Sequence, residues 1–160
     1  MDAFELAISD LKISREEEGS KLIDTLKMHR DEFNIHFKKV SDLRNSYQEQ
    51  VKDKLTKRFE NDAKELNLDE PRFLQEVIYY LEKLDIDEEI NRINIHLEKL
   101  EKILTGEHLE LGRQIDFLIQ ELNRETNTIG SKSGASEISE NVVQMKVQLE
   151  KIREQALNLQ

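Results

Sequence analysis

Two carboxylates in the second half of the chain have the spacing of a cation site. Glu121 and Glu125 are four residues apart, so they lie one above the other on the same face of an α-helix. Carboxylate oxygens are ligands that hard cations such as Mg²⁺ and Mn²⁺ prefer. The pair is therefore a candidate metal site. The alternative is that both carboxylates form salt bridges with Arg124 that hold helices or subunits together.

The helix that carries these carboxylates has an unusual polar face. Its apolar stripe recurs at helical spacing from Leu111 to Leu122. The opposite face is rich in amides and arginines, whose hydrogen bonds have defined directions, and such a surface suits recognition better than solvation. This polar face consists of Arg113, Asp116, Gln120, Glu121, Asn123, Arg124, Glu125 and Asn127. The residues from Thr128 to Ser136 then predict a flexible polar loop that contains Lys132.

The preceding helix carries a second polar cluster. Asp85, Glu89, Arg92 and His96 share one helical side, as an acid/base or metal cluster would. The alternative is a capping box formed by Asp85 and Glu88, followed by a surface salt-bridge ladder. Both interpretations stay open.

Two further histidines are a weaker metal signal. His29 and His36 are seven residues apart, which places them about 10 Å apart along a helix axis. That separation is too large for one ion, so we expect both side chains to pack at the edge of the core. His108 stands alone in a loop, and we expect it at the surface.

Helical periodicity dominates the first two thirds of the chain. An apolar stripe runs without proline or glycine from Ser20 to Leu66, which predicts one helix about 70 Å long. Gly19, just before it, predicts a kink or a close contact. After a turn at 67–71, apolar stripes over 71–84 and 86–104 predict helices that return antiparallel along the first.

The last helix, about Glu137 to Leu159, has apolar residues at alternating spacings of four and three, which is typical of a coiled-coil seam. The sequence thus predicts an all-α protein, with a single helical domain over 1–160. Within it we expect a long antiparallel helical hairpin over 19–104, followed by a two-helix C-terminal segment over 109–160.

Composition narrows the function classes. The chain has 160 residues, no cysteine and a net charge of −10, and 36% of its residues are charged. Disulfides and thiolate metal sites are therefore excluded. A strongly acidic chain is a poor non-specific nucleic-acid binder, so any RNA contact requires a local basic patch, a bound cation or a segment outside this sequence. No apolar run is long enough to span a membrane, and we expect a cytoplasmic protein.

The polar helix and its flanking residues resemble a known signature. Its pattern is Gly-Arg-x-Ile/Leu-Asp-Phe-Leu-x-Gln-Glu-x-Asn-Arg-Glu-x-Asn-Thr-Ile/Leu-x-Ser-Lys, the C-terminal signature of the YicC-like family of bacterial proteins, which are described as endoribonucleases. The matching residues are Gly112, Arg113, Asp116, Phe117, Leu118, Gln120, Glu121, Asn123, Arg124, Glu125, Asn127, Thr128, Ser131 and Lys132. The resemblance extends over essentially the whole chain and is densest from Pro71 onward. The family also carries a separate N-terminal domain, which we expect to be absent here.

The resemblance implies RNA phosphodiester cleavage. Such a reaction requires neutralised phosphate charge, a deprotonated nucleophile and a protonated leaving oxygen. Two chemistries fit the residues: catalysis by carboxylates with a divalent metal, Mg²⁺ or Mn²⁺, or acid/base cleavage that uses the ribose hydroxyl. The expected catalytic residues are Glu121, Glu125 and His96. The expected metal ligands are Glu121, Glu125 and Glu89, and the expected RNA-binding residues are Arg113, Asn123, Arg124, Asn127 and Lys132.

The resemblance also implies a homo-oligomer, in the form of a ring that is plausibly a hexamer, with RNA as the other partner. The second hypothesis is a non-catalytic helical module that oligomerises as a scaffold. The apolar seam of the last helix is expected to support oligomerisation under both hypotheses.

Overall fold

The computed structural model describes residues 3–66, 70–106 and 111–159. They form the helices α1 (Ala3–Leu66), α2 (Glu70–Leu84), α3 (Asp87–Thr105), α4 (Leu111–Lys132) and α5 (Ser136–Ala156), and a 3₁₀ turn, Leu157–Leu159. Since no strand occurs in these ranges, the all-α prediction is confirmed. No helix in these ranges is both long enough and apolar enough to cross a membrane.

Helices α1 and α5 pack against each other in opposite directions. Nδ1 of His29 lies 3.0 Å from Oε1 of Gln148, and Nδ1 of His36 lies 2.9 Å from Oδ1 of Asn141. Residue numbers thus rise along α1 while they fall along α5. Both histidines hydrogen-bond amide groups at this interface, as expected of histidines at the edge of a core.

The other neighbouring helices are also antiparallel. Between α3 and α4, Arg92 contacts Glu125 and Glu89 contacts Lys132. The α1–α3 ion pairs are Arg30–Glu101 and Arg44–Asp87, and the α4–α5 ion pair is Asp116–Arg153. Helices α1, α3, α4 and α5 therefore form a four-helix bundle in which each neighbour runs in the opposite direction.

One continuous apolar core fills the bundle. In α1 the core positions recur at helical spacing between Leu26 and Val40, and the rings of Phe33 and Phe37 stack with centroids 6.3 Å apart. Helices α3, α4 and α5 contribute the rest of the core. These side chains are Ile86, Ile90, Ile93, Leu100, Leu104, Ile115, Leu118, Ile119, Leu122, Ile129, Ile138, Val142, Met145, Leu149, Ile152 and Ala156.

The predicted hairpin forms, but α1 packs most extensively against α5 rather than against the returning helices α2 and α3. The apolar seam of α5, from Ile138 to Ala156, is buried between α1 and α4 of the same chain. A heptad-like stripe specifies only that a partner helix is present, not whether that helix belongs to the same chain. The seam therefore gives no surface for oligomerisation.

Two local predictions need correction. Helix α1 continues through Gly19, where a Cβ atom would have none of the described residues' atoms within 4 Å, so no close contact is found at this residue. Helix α4 continues to Lys132, so the connection to α5 is 133–135 rather than Thr128–Ser136. Gly130 is helical, and a Cβ atom there would lie 3.0 Å from Val142 Cγ1. This glycine permits close contact between α4 and α5 instead of ending the helix.

The predicted capping box does not form, because the N-cap of α3 is Ile86 rather than Asp85 and no side chain at that position caps the helix. The carboxylate of Asp85 accepts a hydrogen bond from the backbone N–H of Asp87 at 3.0 Å, and α3 begins at Asp87. The backbone N–H of Asp85 is already bonded to the carbonyl of Glu82, so Glu88 has no donor to fold back on. Glu88 instead pairs with Arg92 one turn later. His108 lies outside the described residues.

Candidate functional site

The interface between α3 and α4 brings together most of the predicted site residues. Because the two helices are antiparallel, the N-terminal half of α3 lies beside the C-terminal half of α4. Two separate groups of charged side chains result. We call His96, Glu121 and Glu125 the His96 cluster, and Glu89 with Lys132 the Lys132 pair.

The His96 cluster has the arrangement of a metal site. One ligand atom from each of its three side chains lies within 4.8 Å of the other two. Glu125 is only 2% exposed, while His96 and Glu121 are half-buried. No other group of three histidine or acidic side chains within the described ranges meets this geometry. The helix spacing of Glu121 and Glu125 supplies two donors, and the bundle adds His96 from α3.

Two arginines contact the buried carboxylate of this cluster. Oε1 of Glu125 accepts a hydrogen bond from Arg124 at 2.9 Å and another from Arg92 at 3.3 Å. Arg124 also lies 3.1 Å from Glu121. The hydrogen bond to Glu125, followed by the charge of Glu88, raises the pKa of Arg92, which therefore stays cationic. Both guanidinium groups are about half exposed, and they surround the cluster with positive charge.

His96 is the least satisfied member of the cluster. Its Nδ1 atom is buried, and no hydrogen-bond partner for it occurs in the part of the chain that is described. Burial lowers the pKa of His96 from its ordinary value of 6.5, and the positive charge of Lys99 lowers it further, while Glu121 and Glu125 oppose both effects. The imidazole is therefore neutral at pH 7, which is the form that binds a metal or accepts a proton.

The Lys132 pair is differently constructed. The ammonium of Lys132 donates to Oε1 of Glu89 at 2.7 Å and to the backbone carbonyl of Asp85 at 2.9 Å. Glu89 is 5% exposed. The ammonium therefore neutralises a buried carboxylate and anchors the end of α4 to the start of α3. The structure does not bring Glu89 into the group formed by Glu121 and Glu125.

The remaining predicted residues lie on the exposed side of α4. The side-chain amide of Asn127 donates to Oδ1 of Asn123 at 3.3 Å, so these two residues interact with each other. Arg113 lies farther toward the start of the helix, in a groove that it shares with Phe117. The sequence did not identify Arg92 as a partner of Glu125, because 33 residues separate them and no local pattern reports that contact.

Comparisons with known proteins agree with the signature. A family model described as "Endoribonuclease YicC-like, C-terminal" matches residues 40–160. A protein of Clostridioides difficile (strain 630), named probable endoribonuclease YicC, is 41% identical over 159 residues, which cover 99% of this chain and 54% of that protein. A protein of the same name from Haemophilus influenzae is 36% identical over 160 residues, which cover all of this chain and 55% of that protein.

The chain thus spans about half the length of the curated relatives it matches. The family match includes the whole of α3, α4 and α5, and with them both charged groups of the α3–α4 interface. The residues matched by the C-terminal family model amount to more than half of the chain, and we conclude that the chain belongs to the YicC-like endoribonuclease family.

Proposed function

We propose that this chain contributes the cleavage site of an endoribonuclease, and that RNA phosphodiesters are cut at the His96 cluster with the help of a divalent cation. The observation that carries the proposal is the convergence of His96, Glu121 and Glu125 from two helices. The names of the relatives supply the substrate class, since both are called probable endoribonucleases.

The donor set of the cluster fits a divalent cation. Ligand atoms bound to one ion at about 2.0–2.2 Å lie at most roughly 4.4 Å apart, so the observed limit of 4.8 Å requires only a small adjustment of the side chains. The buried Nδ1 atom of His96 has no hydrogen-bond partner among the described residues, as expected of a nitrogen that binds a metal ion. One imidazole with two carboxylates suits Mn²⁺ better than Mg²⁺, which rarely takes nitrogen ligands.

Each side chain has a role that follows from its surroundings. A cation held by His96, Glu121 and Glu125 would supply charge neutralisation at the phosphate and a water molecule of lowered pKa. Arg124 and Arg92 are exposed enough to contact phosphate oxygens and remain charged. Their hydrogen bonds to Glu125 also fix its carboxylate, so the same two residues position a ligand group and attract the substrate.

A second chemistry uses the same residues without a metal. His96 is neutral at pH 7, so its imidazole is able to accept the proton of a ribose 2′-hydroxyl as that oxygen bonds to the adjacent phosphorus. The bond from phosphorus to the 5′-oxygen breaks in the same displacement, and the leaving 5′-oxygen takes a proton from water. The guanidinium groups of Arg92 and Arg124 would then stabilise the charge that develops on the phosphate. If this route operates, cleavage should continue in the presence of a chelator. It should also be confined to RNA, because the reaction uses the ribose 2′-hydroxyl.

Cleavage of a labelled RNA tests the proposal. The purified chain is incubated with the RNA in Mn²⁺, in Mg²⁺ and in EDTA, alongside the Glu121→Gln and Glu125→Gln variants. We expect faster cutting in Mn²⁺ than in Mg²⁺, none in EDTA, and loss of cutting in both variants. Glu150→Gln removes an exposed carboxylate on α5 and is the matched control. Uncut RNA under all conditions, from a folded protein, would contradict the proposal.

The scaffold hypothesis is favoured by a different observation. Helix α2 exposes the large apolar side chains Leu74, Ile78, Tyr79 and Tyr80, and only Val77 of this helix is buried. An apolar surface of this kind is typical of a contact with another protein. A homo-oligomer, including the hexamer that the resemblance implies, stays a prediction, as does a cytoplasmic location. Sedimentation of the Ile78→Glu variant tests the predicted homo-oligomer, because a charge at this surface should dissociate such an assembly.

A further inference from the structure

A groove between α3 and α4 lies closer to the start of α4 than the His96 cluster does, and its lining includes basic and aromatic side chains. Lys99 and Lys102 line it from α3, and Phe117 and Arg113 line it from α4. The floor is apolar and includes Ile103 and Leu118.

We propose that this groove binds a nucleotide of single-stranded RNA next to the scissile phosphate, with Phe117 stacked on its base and Lys99 and Lys102 on its backbone. The inference deepens the proposed function and rests on it for the identity of the substrate. It assigns the groove a substrate class, RNA with unpaired bases, because a base within a duplex has no free face for an aromatic ring.

Charge is the first argument for RNA as the occupant. None of the described residues that line the groove is acidic, although the chain as a whole has a net charge of −10. Two other grooves carry both signs: Glu49 and Lys52 line the one between α1 and α2, and Arg30 and Glu98 line the one between α1 and α3. Neither Lys99 nor Lys102 has a carboxylate partner within the described ranges. A local basic surface is what an acidic protein requires to bind a polyanion.

The aromatic ring is the second argument. Phe117 is 62% exposed, the largest exposure among the large hydrophobic side chains of the described residues, although it belongs to a helix whose other large apolar side chains face the core. An exposed phenyl ring between cationic side chains is the arrangement with which proteins stack unpaired bases while they hold the backbone.

The position of the groove is the third argument. Phe117 precedes Glu121 by one helical turn, and Lys99 follows His96 by about one turn, so each is roughly 4.5–6 Å along its axis from a member of the cluster. Lys99 is also close enough to lower the pKa of His96. A strand that places a phosphate at the cluster therefore places its neighbouring nucleotide in the groove.

Binding of a short labelled RNA without secondary structure tests the inference, in EDTA so that the strand stays intact. We expect Phe117→Ala to weaken binding roughly 5- to 100-fold, because that is the usual range for loss of one stacked base. Phe117→Tyr, which keeps the ring, should bind within about two-fold of the wild type. Lys99→Ala and Lys102→Ala should each lower the slope of log K against log salt by about 0.7.

Two substitutions elsewhere serve as controls. Val143→Ala shortens an exposed apolar side chain on α5, and Lys146→Ala removes an exposed lysine from the same helix. Both should leave RNA affinity unchanged. A duplex of the same sequence should bind wild type and Phe117→Ala equally, since its bases are already stacked.

Several results would overturn the inference. The inference is wrong if Phe117→Ala binds single strands as tightly as the wild type does, or if it loses as much affinity for the duplex as for the single strand. It is also wrong if the protein binds no RNA at all. Sedimentation without RNA tests whether a second copy of the chain occupies the groove instead. If Phe117→Ala dissociates an assembly and keeps its affinity for RNA per subunit, the groove is a contact between copies of the chain.

The test separates this inference from the proposed function. Metal-dependent cutting with unchanged affinity in Phe117→Ala would remove the nucleotide subsite and keep the nuclease. Binding that depends on Phe117 and the two lysines, in a protein that never cuts RNA, would keep the subsite and remove the catalytic role of the His96 cluster.

Discussion

The α3–α4 interface holds two buried glutamates in two different settings. Glu125 is 2% exposed and Glu89 is 5% exposed, and both face basic side chains of the neighbouring or the same helix. Glu89 meets one ammonium that is also bonded to a backbone carbonyl. Glu125 meets two exposed guanidinium groups, and a histidine and a second carboxylate lie beside it.

This difference in surroundings leads us to expect different roles for the two glutamates. A buried carboxylate with one dedicated internal cation is neutralised, and its removal leaves the other charge without a partner. A buried carboxylate that lies beside other metal-binding side chains and beside partly exposed arginines interacts with groups that substrate is able to reach. We therefore expect the Lys132 pair to affect stability and the His96 cluster to affect activity.

The largest effect should follow from Glu125→Gln. The amide keeps the size of the side chain but removes the charge that a cation requires, so we expect cleavage of RNA to fall by 100-fold or more, on the order of a lost catalytic group. Initial rates of cutting in Mn²⁺ measure this. Glu89→Gln is the comparison and should retain most of the activity per folded molecule. If the two variants lose equal activity, the separation of roles is wrong.

The next effect concerns stability. Lys132→Met leaves Glu89 buried without its cation, and we expect the free energy of unfolding to decrease by about 2–3 kcal/mol, below the range for fully buried pairs because Lys132 is partly exposed. Urea denaturation measures it. The double variant Glu89→Leu/Lys132→Met should recover much of the loss, because no buried charge remains. If the double variant is as unstable as Lys132→Met, Glu89 and Lys132 do not form an isolated pair.

The pH dependence should be specific to the His96 cluster. Since burial lowers the pKa of His96, the folded protein binds that proton less readily than the unfolded chain, and neutral imidazole predominates at pH 7. Cleavage should therefore be constant around pH 7 and decline as pH falls through a value below 6.5. The folding stability should decline as pH falls from 6.5 toward the lower pKa of the folded protein, because only there does the unfolded chain bind the proton more readily than the folded one. In His96→Gln this decline in stability should disappear, and a midpoint of the wild-type cleavage profile above 6.5 would contradict the assignment.

The smallest effect should follow from Arg124→Lys. Lysine keeps the charge but cannot hold Glu121 and Glu125 at once with the geometry of a guanidinium group, so we expect a several-fold loss of cleavage with little change in stability. Arg153→Lys changes an exposed arginine on α5 and is the control. Equal losses in both variants would indicate a general effect of surface charge.

Several elements could be predicted from the sequence because they depend on local periodicity. The all-α class, the long first helix and the start of a second helix near Pro71 follow from apolar stripes and their interruptions. The shared face of Glu121 and Glu125 follows from helix geometry alone. The helical state of Gly130 could not be predicted, because the reason for it is the close approach of Val142 on another helix.

The sequence by itself determined where helices form, which of their faces are apolar, and that two carboxylates lie one turn apart. Only the tertiary structure decided that α5 covers α1, that His96 meets Glu121 and Glu125, and that Lys132 belongs to Glu89. The physical reason is that helix periodicity is a property of residues a few positions apart, whereas these contacts join residues 25 to 119 positions apart. Which charged side chains meet is set by the order in which four antiparallel helices pack.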